Sequence, residues 1–256
     1  MEQLKASLDS QLGTALCEAE DTEEMFWLRE SDDYQSKVAL GNALSAQYRF
    51  REAAEAYLSA ARVRNDDPML FVRLGGAYLS VFEFQAAYNA YENALRLGAS
   101  EKTVAYPLGI WHYLQGKYHD AAAWLEKCLP CGDEMAIAVI YWHCLCRLRE
   151  QRDLDMLSEL RQDMKVGHHT AYRDAVSLFA GEIAADTMMR ELTREQDDLN
   201  YVIAAYGVSR YLLTCGDRAR GTELLKKICS REKVWACISY LAAWNDLNGE
   251  YTGEVG

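Results

Sequence analysis

Cys128-Leu129-Pro130-Cys131 is the stretch whose residue types could most readily do chemistry. Two thiols at this spacing can act as a redox dithiol if one is held as a thiolate. They can also supply half of a zinc site if further soft ligands follow, and His143, Cys144 and Cys146 lie downstream. The spacing argues against both. Cys144 and Cys146 are two apart, so on a helix they point to different sides. A redox dithiol of the common kind sits between a strand and a helix, and the chain has no such alternation. His168 and His169 are adjacent and read as loop residues. Gly216-Asp-Arg-Ala-Arg-Gly221 lacks the Lys-Ser/Thr pair of a phosphate-binding loop. No serine, histidine and aspartate arrangement for nucleophilic catalysis is recognisable. The residues predict a non-enzyme with no catalytic residue, no metal and no cofactor. A cysteine-based metal or redox regulator using Cys128 and Cys131 stands as the alternative.

The elements that carry these residues read as helices throughout. About half of the 256 residues are apolar, proline occurs 3 times, and alternating runs of Val, Ile and Thr are missing. Such a composition predicts an all-α chain with a real core. The formal net charge of −12 is the wrong sign for counterion release from nucleic acid. An acidic run at Glu18, Glu20, Asp21, Glu23 and Glu24 reads as a solvated helix face or turn. No apolar stretch approaches the roughly 20 residues of a membrane span. The first 20 residues show no export signal, so the eight cysteines read as mostly buried thiols of a cytoplasmic protein.

The chain aligns on itself at a period of 34. Leu74, Gly75, Phe84, Ala87, Tyr91 and Ala94 match Leu40, Gly41, Phe50, Ala53, Tyr57 and Ala60 before them. Leu108, Gly109, Tyr118, Ala121, Leu125 and Cys128 match them afterwards. Cys128 thus falls where the earlier copies have a small core alanine. His112 replaces Tyr78 and reads as a packed histidine. Each copy is a helix pair, A then B. The glycines on A and Ala53, Ala87 and Ala121 on B are expected to let the two backbones approach. The large Tyr and Leu residues are expected to fill the space between neighbouring pairs. Gly76 lies one position on and is expected on the concave side.

These residues and this period resemble the tetratricopeptide repeat, TPR. The resemblance implies an all-α, right-handed superhelix of helix hairpins with capping helices at both ends. Residues 1–32 read as N-terminal helices and 33–132 as three repeats. Residues 133–197 read as a degenerate repeat with short helices, its second helix in LDMLSELRQDM and a break near Gly181. Residues 198–256 read as a late repeat with a capping helix at 234–247. Pro107 predicts that the third A helix starts late or kinks. The layout is similar to that of bacterial NlpI-type TPR adaptors, with LFAGEIAADTMMREL at 178–192 in the matching place, although their lipid-attachment signal is not found.

The resemblance implies a scaffold that binds a partner peptide or helix in its concave groove. In the repeat register that groove holds Val38, Asn42, Met69, Val72, Gly76, Leu79, Tyr106, Ile110, Tyr113 and Arg147. TPR proteins that clamp a carboxylate use basic residues where Val38, Thr103 and Pro107 stand here, so apolar side chains of a partner suit the strip better. Coverage of the strip by the chain's own terminal helices is the competing expectation. A cytoplasmic chaperone for a secreted protein is a narrower option, and self-association is left open.

Overall fold

In the computed structural model, which describes residues 20–248, the period of 34 becomes a series of helix hairpins. A short helix α1 (Glu23–Glu30) precedes the pairs α2 (Tyr34–Ala46) with α3 (Phe50–Val63) and α4 (Pro68–Ser80) with α5 (Phe84–Arg96). Next come α6 (Glu101–Leu114), α7 (Tyr118–Glu126) and α8 (Asp133–Glu150). Then follow α9 (Thr170–Phe179), α10 (Ala185–Leu192), the pair α11 (Asp198–Thr214) and α12 (Arg218–Cys229), and α13 (Ile238–Asn248). No strand occurs among the described residues. The helix expected at 2–20 falls outside them but for Glu20, as does the end of the expected 198–256 segment.

Local chemistry sets the helix starts. Asp33, Asp67 and Asp197 accept hydrogen bonds from the backbone N–H of Ser36, Met69 and Asn200 at 3.0, 2.8 and 2.7 Å. Pro68 sits at the first turn of α4, where a missing N–H costs nothing. The A-to-B turns share one closure. The N–H groups of Arg49, Glu83, Lys117 and Asp217 donate to the carbonyls of Leu44, Tyr78, His112 and Leu212 at 2.9–3.0 Å. The residue before each donor is left-handed: Tyr48, Phe82, Gly116 and Gly216, with φ of 62°, 56°, 72° and 86°.

The chain divides into two units, one running to Trp111 and the other starting at His112. In the first, α1 to α5 enclose a core of Met25, Tyr34, Val38, Leu44, Tyr57, Leu70 and Leu74. Asp21, expected to be a solvated charge, is instead tied to Arg29 Nε and Arg49 Nη1, both at 2.5 Å. In the second, α8 is buried on all sides from Ala136 to Cys146 and forms the central post. Tyr141 donates to the Ile203 carbonyl at 2.8 Å, and Trp142 and Tyr206 are fully buried beside it.

Two local expectations need correction. The third A helix begins at Glu101 and runs through Pro107 without starting late. Pro107 removes the N–H that would meet the Thr103 carbonyl, and Thr103 is exposed, so water can replace it. The helix expected in LDMLSELRQDM is a single 3-10 turn, Asp155–Glu159. There Asp155 accepts from the Met156 N–H and Ser158 Oγ donates to the Asp155 carbonyl, side-chain bonds that compete with an α-helical ladder.

Candidate protein-binding face

The glycine in each of the first two A helices faces an aromatic ring. A Cβ at Gly75 would stand 2.7 Å from Tyr91 Cδ1 and 2.8 Å from Cζ, and nearer still to Cε1. At Gly41 the same atoms of Tyr57 would lie at 2.5 and 2.9 Å. The tyrosines thereby have a role within the hairpin as well as the one expected between hairpins. Each fills the crossing point inside its own hairpin, and Tyr57 shares a core cluster with Leu70 and Leu74 of the next one. A Cβ at Gly76 would meet nothing within 4 Å. So Gly75 is required by packing and Gly76 is not.

The ten groove positions divide by burial. Val38, Leu79, Ile110 and Tyr113 are buried and do not line an open surface. Val38 belongs to the core cluster that includes Met25 of α1, so the first A helix is covered there by the chain's own N-terminal helix. Tyr113, only 3% exposed, packs edge-on to Trp142, with ring centroids 5.0 Å apart. Its hydroxyl lies 2.8 Å from that of Tyr206 in α11. Asn245 of α13 donates to the Leu114 carbonyl at 3.1 Å, closing the same end of α6. Within the second unit, therefore, the late helices occupy the ground that repeat geometry would leave to a partner. Arg147 is half-buried and bound to Glu126, Glu150 and Asp155 at 3.3–3.4 Å.

The remaining positions lie in the first unit. Asn42 and Met69 are exposed, and Val72, Gly76 and Tyr106 are half-buried. Met69, Val72 and Gly76 fall on one face of α4, at spacings of three and four. Met69 is 41% exposed, an unusual placement for a long apolar side chain on a helix whose other face is core. Asn42 is not idle: its Oδ1 accepts the Tyr57 hydroxyl at 2.9 Å.

The cysteines weighed from sequence differ in burial. Cys128 is buried and its thiol lies 3.9 Å from the Trp124 carbonyl, while Cys131 is half-buried. Burial pushes the thiols of Cys144 and Cys146 well above the usual range and that of Cys229 up to about 12, which disfavours the thiolate needed for redox or metal work. Among the described residues no group of three His, Cys, Asp or Glu side chains could hold a metal ion. His143 is buried with Nε2 3.1 Å from Glu126 Oε1. It borders a cavity of about 300 Å³ shared with Asp155, Met156 and Glu159. Burial holds its pKa below the ordinary histidine value, so near neutral pH the ring links α7 to α8 as a neutral group. His168 and His169 lie in the turn before α9, where His169 stacks on Tyr172.

The sequence matches no protein-family model and no curated protein. Among solved structures the chain is similar to YrrB, described as a TPR protein with an unusual peptide-binding site. The similarity spans 86% of this chain and 97% of that one, at 16% identity and a TM-score of 0.47.

Proposed function

We propose that this chain is a non-enzymatic interaction scaffold whose first unit binds a segment of a partner protein along the exposed face of α2, α4 and α6. The observation that carries the reading is the face of α4. An exposed Met69, a half-buried Val72 and a glycine with open space above it follow one another along it. A flexible thioether and a β-branched side chain offer apolar contact to many shapes, and a missing side chain admits a close approach. Asn42 and Tyr106 flank that strip in the repeat register. Tyr113 and Arg147, engaged within the second unit, are left out of the proposed face. An adaptor role of the NlpI type and a cytoplasmic setting belong to the same proposal.

The test is direct. Twelve-residue peptides selected on the full chain from a random display library are titrated against Met69→Glu and Val72→Glu. Met69 is exposed, so Met69→Glu should leave the melting temperature nearly unchanged, and half-buried Val72→Glu should lower it modestly. Affinity should fall at least ten-fold as a charge enters an apolar contact. Unaltered affinity in both variants refutes the assignment.

A further inference from the structure

Helix α1 is held to the first unit by one side. Met25 is 1% exposed in the core, and Leu28 packs against the same cluster. Arg29 lies beside Met25 in the helical register and is bound to Asp21 at 2.5 Å and to Glu52 at 2.9 Å. The other side carries the two most exposed large apolar side chains among the described residues, Phe26 at 60% and Trp27 at 72%. A single exposed apolar residue needs no explanation, but two adjacent aromatic rings left in water on one short helix do. Neither ring meets another ring or a cation among the described residues.

Helical spacing places carboxylates at both ends of this pair. Glu23 stands three residues before Phe26 and four before Trp27, and Glu30 stands four after the first and three after the second. Residues three and four apart are neighbours on a helix surface, so one carboxylate borders the rings at each end, about 10 Å apart along the axis. Both glutamates are exposed, and neither forms an ion pair among the described residues. The cation of the same helix, Arg29, is already engaged by Asp21 and Glu52.

We propose that this side of α1 is a second docking surface and that its occupant is a basic amphipathic segment of a partner protein. Apolar side chains of the segment lie on Phe26 and Trp27, and a Lys or Arg reaches Glu23 at one end and Glu30 at the other. Aromatic anchors carry most of the energy of such an interface, and carboxylates at its rim select the sign and orientation of what binds. The separation suits cations about seven residues apart on a helix. None of these residues belongs to the α4 strip. Charge decides among the occupants. A second copy would set acidic rim against acidic rim, on a chain of net charge −12. An anionic lipid surface is repelled for the same reason. Residues 1–19 of the chain itself offer one basic side chain, Lys5, against Glu2, Asp9 and Glu18.

The probe is a set of peptides selected on the full chain from a random display library and sorted by loss of binding to a Phe26→Ala/Trp27→Ala double variant. Both rings are exposed, so that variant should melt nearly as the wild type does. Peptides that need the pair should combine apolar residues with Lys or Arg on both sides. Trp27→Ala alone should weaken them about ten-fold or more. Glu23→Gln with Glu30→Gln should weaken them about three-fold or more and remove most of the dependence of affinity on salt. Met69→Glu should leave them bound as before, which separates this surface from the α4 face. The proposal is overturned if no selected peptide needs the pair, or if those that do lack cations or ignore the two glutamine substitutions. It is also overturned by any sign of another occupant. A melting temperature several degrees lower in the double alanine variant means that the chain's own residues cover the rings. A dimer in sedimentation that the same variant splits means that a second copy does. Pair-dependent binding to phosphatidylcholine vesicles assigns the rings to a membrane.

Discussion

Adjacent glycines in one helix give a sharp internal comparison, because they share a backbone but not an environment. Alanine is favoured over glycine within a helix by about 1 kcal/mol. At Gly76 the added methyl meets nothing within 4 Å, so Gly76→Ala should keep most of that gain. At Gly75 the methyl would drive into Tyr91 ring atoms at 2.7 and 2.8 Å. That ring is fully buried and wedged inside its hairpin, so it cannot swing away as an exposed chain end would. Overpacking of this kind costs about 1–3 kcal/mol. Gly75→Ala should therefore fall below Gly76→Ala by about 1–3 kcal/mol, and Gly75→Leu should fall further. In a chain of this size each kcal/mol shifts the melting temperature by about 2–4 °C, so calorimetry or urea titration resolves the difference. Tyr91→Ala supplies the matching background. Without the ring, Gly75→Ala should lose its penalty and behave like Gly76→Ala, which appears as a coupling of about 1–3 kcal/mol between positions 75 and 91. Equal stabilities for the two alanine variants in both backgrounds would refute the account of the hairpin crossing.

Tyr113→Ala should destabilise by about 3–5 kcal/mol, since it removes a ring packed on Trp142, and thermal melting checks it; a change confined to binding would restore Tyr113 to the groove. Arg149 pairs with Asp246 inside the second unit, so Arg149→Leu leaves that half-buried carboxylate with Arg210 and the Tyr206 hydroxyl alone, and denaturant titration should show a loss of about 1–3 kcal/mol. Hydrogen bonds from Arg29, then Arg49, lower the Asp21 pKa from 3.8 to about 2. Its contribution is thus full above pH 4 and lost as pH falls towards 2. Melting curves of Asp21→Asn should show a flatter dependence on pH in that window than those of the wild type.

The period of 34 was legible because hairpin packing demands small and large residues at fixed offsets, and a linear text records offsets directly. Leu40, Gly41 and Tyr57, with Leu74, Gly75 and Tyr91, carry that record, and the helices fall where it predicts. The break at Gly181 was legible for the same local reason: its φ of +76° suits glycine and few other residues. Which helix faces remain open was not legible. Val38 and Tyr113 occupy positions that repeat geometry assigns to a free inner face. Each is buried beside an element outside the three clear repeats, Val38 within the cluster that holds Met25 and Tyr113 against Tyr206. Periodicity describes one helix pair and its neighbours, whereas coverage depends on where non-repeating segments fold back. The unmet hydroxyl of Tyr91 is a tertiary fact of the same kind. Sequence places an Asn at 42 and a Gly at 76, but only the packed ring shows that the first answers a buried donor and the second does not. A hydrogen bond needs two atoms brought within 3 Å, and that proximity is created by the fold, not by spacing along the chain.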